Sequence, residues 1–410
     1  MVFKYKINFK GSRCQKRRIP FQGTLRVCLL AVLAFLLVSA TITATTYIVS
    51  ENSNDYSVQS AINKAKEGDR IIVKSGTYSE RLNVTKKLTI RGVDTGEGLP
   101  VIDANKKNSV ITLFVDGIWL EGFMVVNSGS SWEDAGIKVF SNNNLIRGNI
   151  LNNNSYGIYL KYSTNNKIES NLARRSDVGI ALQSSNNNII INNFVTNNSF
   201  AGIFSGNSKN NTIKNNTGQG NAWIGFLFND TENSSIQGNT AIGNANAGIW
   251  ILNSRSNHIK ENNASNNPIF GFLLDASFNN TFLENTAYRN LDGISMDKSS
   301  GNIILENNIS NNIFGIYLDR SSNNLIYLNN FAGNAINAYS YNSSNQWNSD
   351  KEFSYLYKGM VSWDFLGNFW HDYEGNDTYE SGIGNAAYVN EFIKDARPLI
   401  SWKEGYQILA

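Results

Sequence analysis

Cysteine, proline and histidine are scarce in this 410-residue chain. The two cysteines, Cys14 and Cys28, both fall in the first 44 residues, so the rest can form neither a disulfide nor a thiolate metal site. Four prolines suit a parallel sheet in which every backbone N–H is engaged. Asp and Glu are missing from residues 1–44, which carry Lys4, Lys6, Lys10, Arg13, Lys16, Arg17, Arg18 and Arg26. That leader therefore holds +8 of a formal net charge of +3, and the remainder is 3 − 8 = −5. An acidic body without a basic face argues against a nucleic-acid partner.

What is abundant is a repeat. The phrase Gly-Ile-x-Leu, a polar Ser and Asn-Asn turn, a short apolar strand and Asn opens at Gly136, Gly157, Gly179, Gly202, Gly225, Gly248, Gly271, Gly293 and Gly315. The steps are 21, 22, 23, 23, 23, 23, 22 and 22 residues. A fixed period of this size marks a stacked architecture. Apolar residues alternate within each unit, the period of a strand, and no helical stripe appears. The fold class is therefore all-β: a single-stranded right-handed parallel β-helix, a solenoid of coils of about 22 residues. Asn149, Asn171, Asn193, Asn216, Asn239, Asn262, Asn285, Asn307 and Asn329 fall 13 or 14 residues after each glycine. Stacked about 4.8 Å apart, each amide can bond the one above and the one below, an asparagine ladder that stabilises the turn.

Four segments follow. In residues 1–44 a basic stretch, the apolar run Val27–Val38 and small residues at Ser39-Ala40 and Thr43-Ala44 have the layout of a secretory signal or an N-terminal membrane anchor. The mature protein is then secreted or held on the outer face of the membrane, touching it only through this segment. Residues 45–135 hold an N-terminal cap and the first coils. There Ser57 to Lys66 reads as an amphipathic helix with Ser57 as N-cap, and Arg70–Val73 and Lys87–Ile90 read as strands. Residues 136–345 are the regular repeats. In 346–410 the repeat decays, with Ala338 already standing where the next glycine is due, and an aromatic C-terminal cap is expected.

Residues 57–80 (Ser-Val-Gln-Ser-Ala-Ile-Asn-Lys through Ser-Gly-Thr-Tyr-Ser-Glu) resemble the N-terminal cap of pectin-lyase-like β-helix proteins. With Leu88–Gly92, Pro100–Ala104, the repeats and Gly367-Asn368-Phe369-Trp370-His371-Asp372-Tyr373, the chain resembles the NosD-type family, whose repeat is also called the carbohydrate-binding and sugar-hydrolase repeat. The resemblance implies the fold strongly and an activity weakly. It implies three functions: binding of a polysaccharide or other cell-surface component without cleavage, polysaccharide lyase or hydrolase activity, and an accessory role in copper delivery. Copper takes His, Met and Cys, but His258, His371, Met124, Met296 and Met360 are scattered, which disfavours it. A calcium-like acidic run of the family is reduced here to Asp377 and Glu380.

Within the Gly-Ile-x-Leu strands the residues two after the glycine should face outward. Tyr159, Phe204, Leu227, Trp250, Leu273 and Tyr317 would then form an outward apolar stripe, a sugar platform in one reading and a covered interface in the other. Four after the glycine stand Asp275, Asp297 and Asp319, about one strand spacing apart if stacked. Such a column fits a solvated turn, a Ca²⁺ site, or a pair of catalytic carboxylates. No cofactor is firmly implied.

Overall fold

The computed structural model describes residues 44–51 and 57–409, so the signal or anchor expected in 1–44 lies almost wholly outside the described residues. Among the described residues three parallel sheets, with 12, 13 and 13 strands, extend from Thr46 to Trp370. They wind as a right-handed solenoid of about 13 coils. One coil shows the plan. Tyr156–Lys161 lies in sheet 1, Lys167–Glu169 in sheet 2 and Leu172–Arg174 in sheet 3, and Val178–Gln183 returns to sheet 1 beside its predecessor.

The alternation read from the sequence sets the core. Each three-residue strand turns its middle residue inward: Ile168 stacks under Ile190 in sheet 2, and Ala173 under Val195 in sheet 3. Sheet 1 contributes two inward columns, such as Ile158 on Ile180 and Leu160 on Leu182, all fully buried. Sizes compensate within the column. Gly218 replaces a side chain in sheet 3, and a Cβ there would come within 3.1 Å of Phe226 Cζ.

The repeat glycine is required by close approach. At Gly225 a Cβ would stand 2.5 Å from the carbonyl oxygen of Gly248 and 2.8 Å from Asn244 Nδ2. The x-Asn and Asn-Asn pairs have a second logic. The first residue of each turn pair adopts a left-handed conformation, as at Asn165 (φ 57°), Asn192 (φ 56°) and Gly238 (φ 63°), which Asn and Gly tolerate best. The second inserts its amide into the turn. Asn193 Nδ2 donates to Ile168 O at 2.9 Å and to Asn216 Oδ1 at 3.0 Å, and that same oxygen accepts from Asn193 N at 2.9 Å. Each amide therefore ties three successive coils, from Asn149 through Asn329.

Two more columns of this kind exist that the sequence reading did not separate. One runs through Asn166, Asn188 and Asn211 and again from Asn257 to Asn345; another runs from Asn198 to Asn334. A serine column, including Ser185, Ser208, Ser254, Ser277 and Ser299, closes the corner after sheet 1.

The N-terminal helix, α1, spans Val58–Lys64, shorter than the 57–66 read from the sequence, and packs Val58, Ala61 and Ile62 on the first coils. Ser57 accepts from Ser60 N, and Glu80 adds a second cap, accepting from Val58 N at 2.7 Å and Gln59 N at 3.1 Å. The strands here are Arg70–Lys74 and Thr89–Val93. At the other end the register corrects one expectation. Asn337 lies beyond Gly315, while Ala338 pairs with Ile316 as a core residue.

Beyond Tyr341 the chain closes the core with aromatics. Phe369–Trp370 rejoins sheet 3 beside Asn330–Ala332. Trp370 is sandwiched between Phe331 and Tyr388, each with its centroid 4.4 Å away and its ring nearly parallel. Asn368 terminates the long ladder by accepting from Asn329 Nδ2 at 2.9 Å. Asp395, fully buried, accepts from Asn368 N at 2.8 Å and from Trp370 Nε1 at 2.9 Å. The Gly-Asn-Phe-Trp motif thus ends the solenoid. The strands Phe353–Tyr357, Met360–Asp364 and Tyr406–Ile408 form a small antiparallel sheet beside it.

Candidate functional site

The outer face of sheet 1 gathers the candidate residues, because its strands are the longest and carry outward positions in strict register. Two residues after the glycine, Tyr159, Ala181, Phe204, Leu227, Trp250, Leu273, Ser295 and Tyr317 pair in sequence from coil to coil. They are not equally accessible. Tyr159 and Leu227 are buried, because Tyr156 stacks on Tyr159 with centroids 4.8 Å apart and Phe200, Phe204 and Trp250 pack around Leu227. Each is buried in its own apolar cluster. Phe204, Trp250, Leu273 and Tyr317 are half-buried and form the surface.

Two aromatics that the sequence reading missed complete that surface. Phe200 and Trp223 stand two residues before Gly202 and Gly225, where the sheet-1 strands begin. Phe200 lies 5.0 Å from Trp223, and Trp223 meets Trp250 edge-on at 5.7 Å. Trp223 remains 37% exposed, so the cluster has an open ring. Beneath it Trp250 Nε1 and Asn246 Oδ1 are buried with no hydrogen-bond partner among the described residues. Among the described residues the two apolar clusters of this face contain no residue of the C-terminal cap, which meets the last sheet-1 strand where Phe392 packs on Tyr339 at 4.3 Å and Asn390 donates to Ala338 O at 3.1 Å.

Charge is divided along the same face. Toward the N-terminus Glu133 pairs with both Lys138 and Lys161, and these bonds hold its carboxyl below the usual range. Toward the C-terminus Asp275, Asp297 and Asp319 stack in register. Arg320 bridges the last two, at 2.9 Å from Asp297 and 2.8 Å from Asp319, and Lys298 adds a contact to Asp297 at 3.1 Å. Asp275 receives no such partner among the described residues; burial, with the Asp297 charge second, pushes its carboxyl up. Two of the three carboxylates are therefore paired with cations while Asp275 is not, and no group of three metal-binding side chains converges among the described residues.

One acid here was not singled out from the sequence. Asp292, directly before Gly293, is 6% exposed on the outer face between Phe270 and Phe314. Burial pushes its carboxyl up to about 6, and the neighbouring Ser295 hydroxyl opposes this only in part. The sign follows from the raised value. Asp292 contributes stability that is fully present below the unfolded value of 3.8 and is lost as pH rises through about 6. Asp292→Asn should therefore stabilise the protein at pH 7 by roughly 2 kcal/mol, and the gain should vanish by pH 4. Denaturant midpoints of the two proteins across that range check it; a gain that grows on acidification would contradict it.

The remaining candidates are held in structural contacts. Asp377 accepts from Ser381 N at 2.9 Å and Gly382 N at 2.7 Å, closing a turn, and Glu380 is exposed. His371 and Asp372 both face Asn337 Nδ2, at 3.3 and 2.7 Å, and Asp372 also accepts from Tyr388. The donors copper would require do not fit one site among the described residues. His258 is exposed on sheet 2, Met124 lies on sheet 3, Met296 is buried in the core, and Met360 lies on the cap hairpin.

The fold is shared with solved structures at low identity. The A-module of the Azotobacter vinelandii mannuronan C-5 epimerase AlgE6 superposes with a TM-score of 0.60 and 14% identity over 70% of this chain and 93% of that one. The Dettilon tailspike protein gives 0.56 and 16% over 76% and 72%. DFA-IIIase from Arthrobacter chlorophenolicus A6 gives 0.52 and 13% over 69% and 94%. At these identities the likeness is one of fold. No curated protein sequence matches the chain. The family described as "Periplasmic copper-binding protein (NosD)" matches residues 39–267 and 219–375, which together span most of the described coils, and the chain belongs to that family.

Proposed function

We propose that this protein works outside the cytoplasm as a rigid rod that binds polysaccharide along the outer face of sheet 1 without cleaving it. The observation that carries the reading is the aromatic surface Phe200, Phe204, Trp223 and Trp250, held in register over adjacent coils and left open by the cap. Rings at fixed spacing on a stiff scaffold suit a polymer of repeating units, and tryptophan offers the large amphipathic face that sugar stacking uses. The "periplasmic" of the family description and the basic, apolar leader support the location. Among the described residues no helix is long and apolar enough to cross a membrane. Polysaccharide-acting relatives of the fold, the mannuronan epimerases among them, make a carbohydrate partner a natural expectation for this face.

Lyase or hydrolase chemistry is the less favoured reading, since Arg320 pairs with both Asp297 and Asp319. A role in copper delivery is disfavoured by the dispersed donors. A glycan array probed with the wild type and Trp250→Ala tests the proposal. The wild type should bind a defined set of glycans, and the substitution should weaken that binding about fivefold or more, since truncating an aromatic anchor at a binding surface costs about 1 kcal/mol or more. Unchanged binding by Trp250→Ala would remove the stripe from the account, and reducing ends released by the wild type would favour the hydrolase.

A further inference from the structure

One coil breaks the apolar pattern of the outer face twice. From Val178 to Phe314 the position before the repeat glycine is apolar in every coil but one, where Asp292 stands. Two places after the glycine, Leu227, Trp250 and Leu273 are followed by Ser295 before aromatics return at Tyr317. Both departures lie in the strand Asp292–Asp297. A carboxylate and a hydroxyl therefore sit together, with Phe270 and Leu273 in the coil on one side and Phe314 and Tyr317 in the coil on the other. Phe314 meets Tyr317 edge-on at 5.6 Å, so that wall is aromatic.

The Ser295 hydroxyl hydrogen-bonds the Asp292 carboxyl and offsets its burial only in part. Asp292 and Ser295 are each 6% exposed, no cation pairs with Asp292 among the described residues, and neither residue belongs to a ladder. A buried acid without a cation is costly. A sequence that keeps a costly break in an otherwise consistent pattern marks a functional position.

We propose that Asp292 and Ser295 form a polar notch that accepts hydrogen bonds from the hydroxyl or ammonium groups of a sugar unit seated between the flanking rings, so that this face selects neutral or amino sugars over uronates. The proposal rests on the carbohydrate-binding reading and adds the class of sugar. The charge of the surroundings argues the same way. Asp275, Asp292, Asp297 and Asp319 face Lys298 and Arg320, which leaves 4 − 2 = 2 negative charges in excess over three coils. A uronate carboxylate brought there would meet like charge, whereas a hydroxyl or ammonium donor makes a charge-assisted bond to Asp292. An ammonium would also lie against aromatic faces.

Titration calorimetry with three hexamers, of glucose, glucosamine and galacturonate, tests this. The glucose or the glucosamine hexamer should bind, and the galacturonate hexamer should bind at least tenfold more weakly. Asp292→Asn and Ser295→Ala should each lower the affinity for the bound hexamer, the first by about tenfold or more. Asp292→Asn should do so while raising stability at pH 7, which separates a lost contact from a damaged fold. Equal or tighter binding of galacturonate overturns the selection. Unchanged affinity in Asp292→Asn, with binding still lost in Trp250→Ala, overturns the notch and leaves the aromatic platform standing. No binding of any hexamer by the wild type overturns both.

Discussion

Asn239→Ala should destabilise the rod by about 3–5 kcal/mol, although it touches neither the apolar core nor the candidate site. Asn239 Oδ1 accepts from Asn216 N at 2.9 Å and from Asn216 Nδ2 at 3.0 Å, and its own amide donates to Ile213 O at 2.8 Å and Asn262 Oδ1 at 3.0 Å. Truncation leaves two buried donors and two acceptors short of partners, in a turn closed to solvent. Orphaned buried polar groups cost far more than the net worth of a hydrogen bond. Asn239→Asp, nearly isosteric, should be comparably damaging, because it replaces a donating amide with an oxygen facing two acceptors. Because a solenoid couples each coil only to its neighbours, the loss should show as an earlier unfolding of the middle coils. Denaturant melts followed by hydrogen exchange would show this; a cost below about 1 kcal/mol would mean the ladder is not what holds the turns.

Trp370→Ala should have an effect of the same order, about 3–5 kcal/mol, by a different route. Its ring fills the end of the core between Phe331 and Tyr388, and its indole N–H is one of the donors to the buried Asp395. Burial pushes the Asp395 carboxyl up to about 6 even with these donors in place, so removing one makes the buried charge harder to hold. The last coil would then present an open apolar end. The expected signs are a lower denaturant midpoint and concentration-dependent self-association by light scattering. A variant that stays monomeric with an unchanged midpoint would show that the aromatic cap is dispensable.

The coils were legible because their rules are local and repeated. Alternation around Ile158 and Leu160 and the glycine period are enough to specify a parallel solenoid, since only stacking buries those faces. One asparagine column could be read from its fixed distance to the glycine. The other two were hidden in plain view. Asn165-Asn166 looks like turn-forming composition, and only the structure separates the left-handed first residue from the buried second. Their own 22- or 23-residue recurrence was the available signal.

The site was less legible for a geometric reason. Counting strands from the glycine hid the outward positions before it, which is where Phe200, Trp223 and Asp292 lie. Exposure was also misjudged by alternation alone. Tyr159 and Leu227 point away from the coil as expected, yet neighbours on the same face bury them. Outward direction is a property of one strand, whereas accessibility depends on the side chains of the coils above and below.

The most direct test of the account is hydroxyl-radical footprinting of the aromatic side chains, with and without a bound oligosaccharide. The account predicts protection of Phe204, Trp223 and Trp250 on the outer face of sheet 1, with Trp132 and the cap residues Trp363 and Tyr379 unchanged. Protection confined to Trp363 and Tyr379, with Trp223 and Trp250 as reactive as before, would contradict it and move the binding surface to the C-terminal cap.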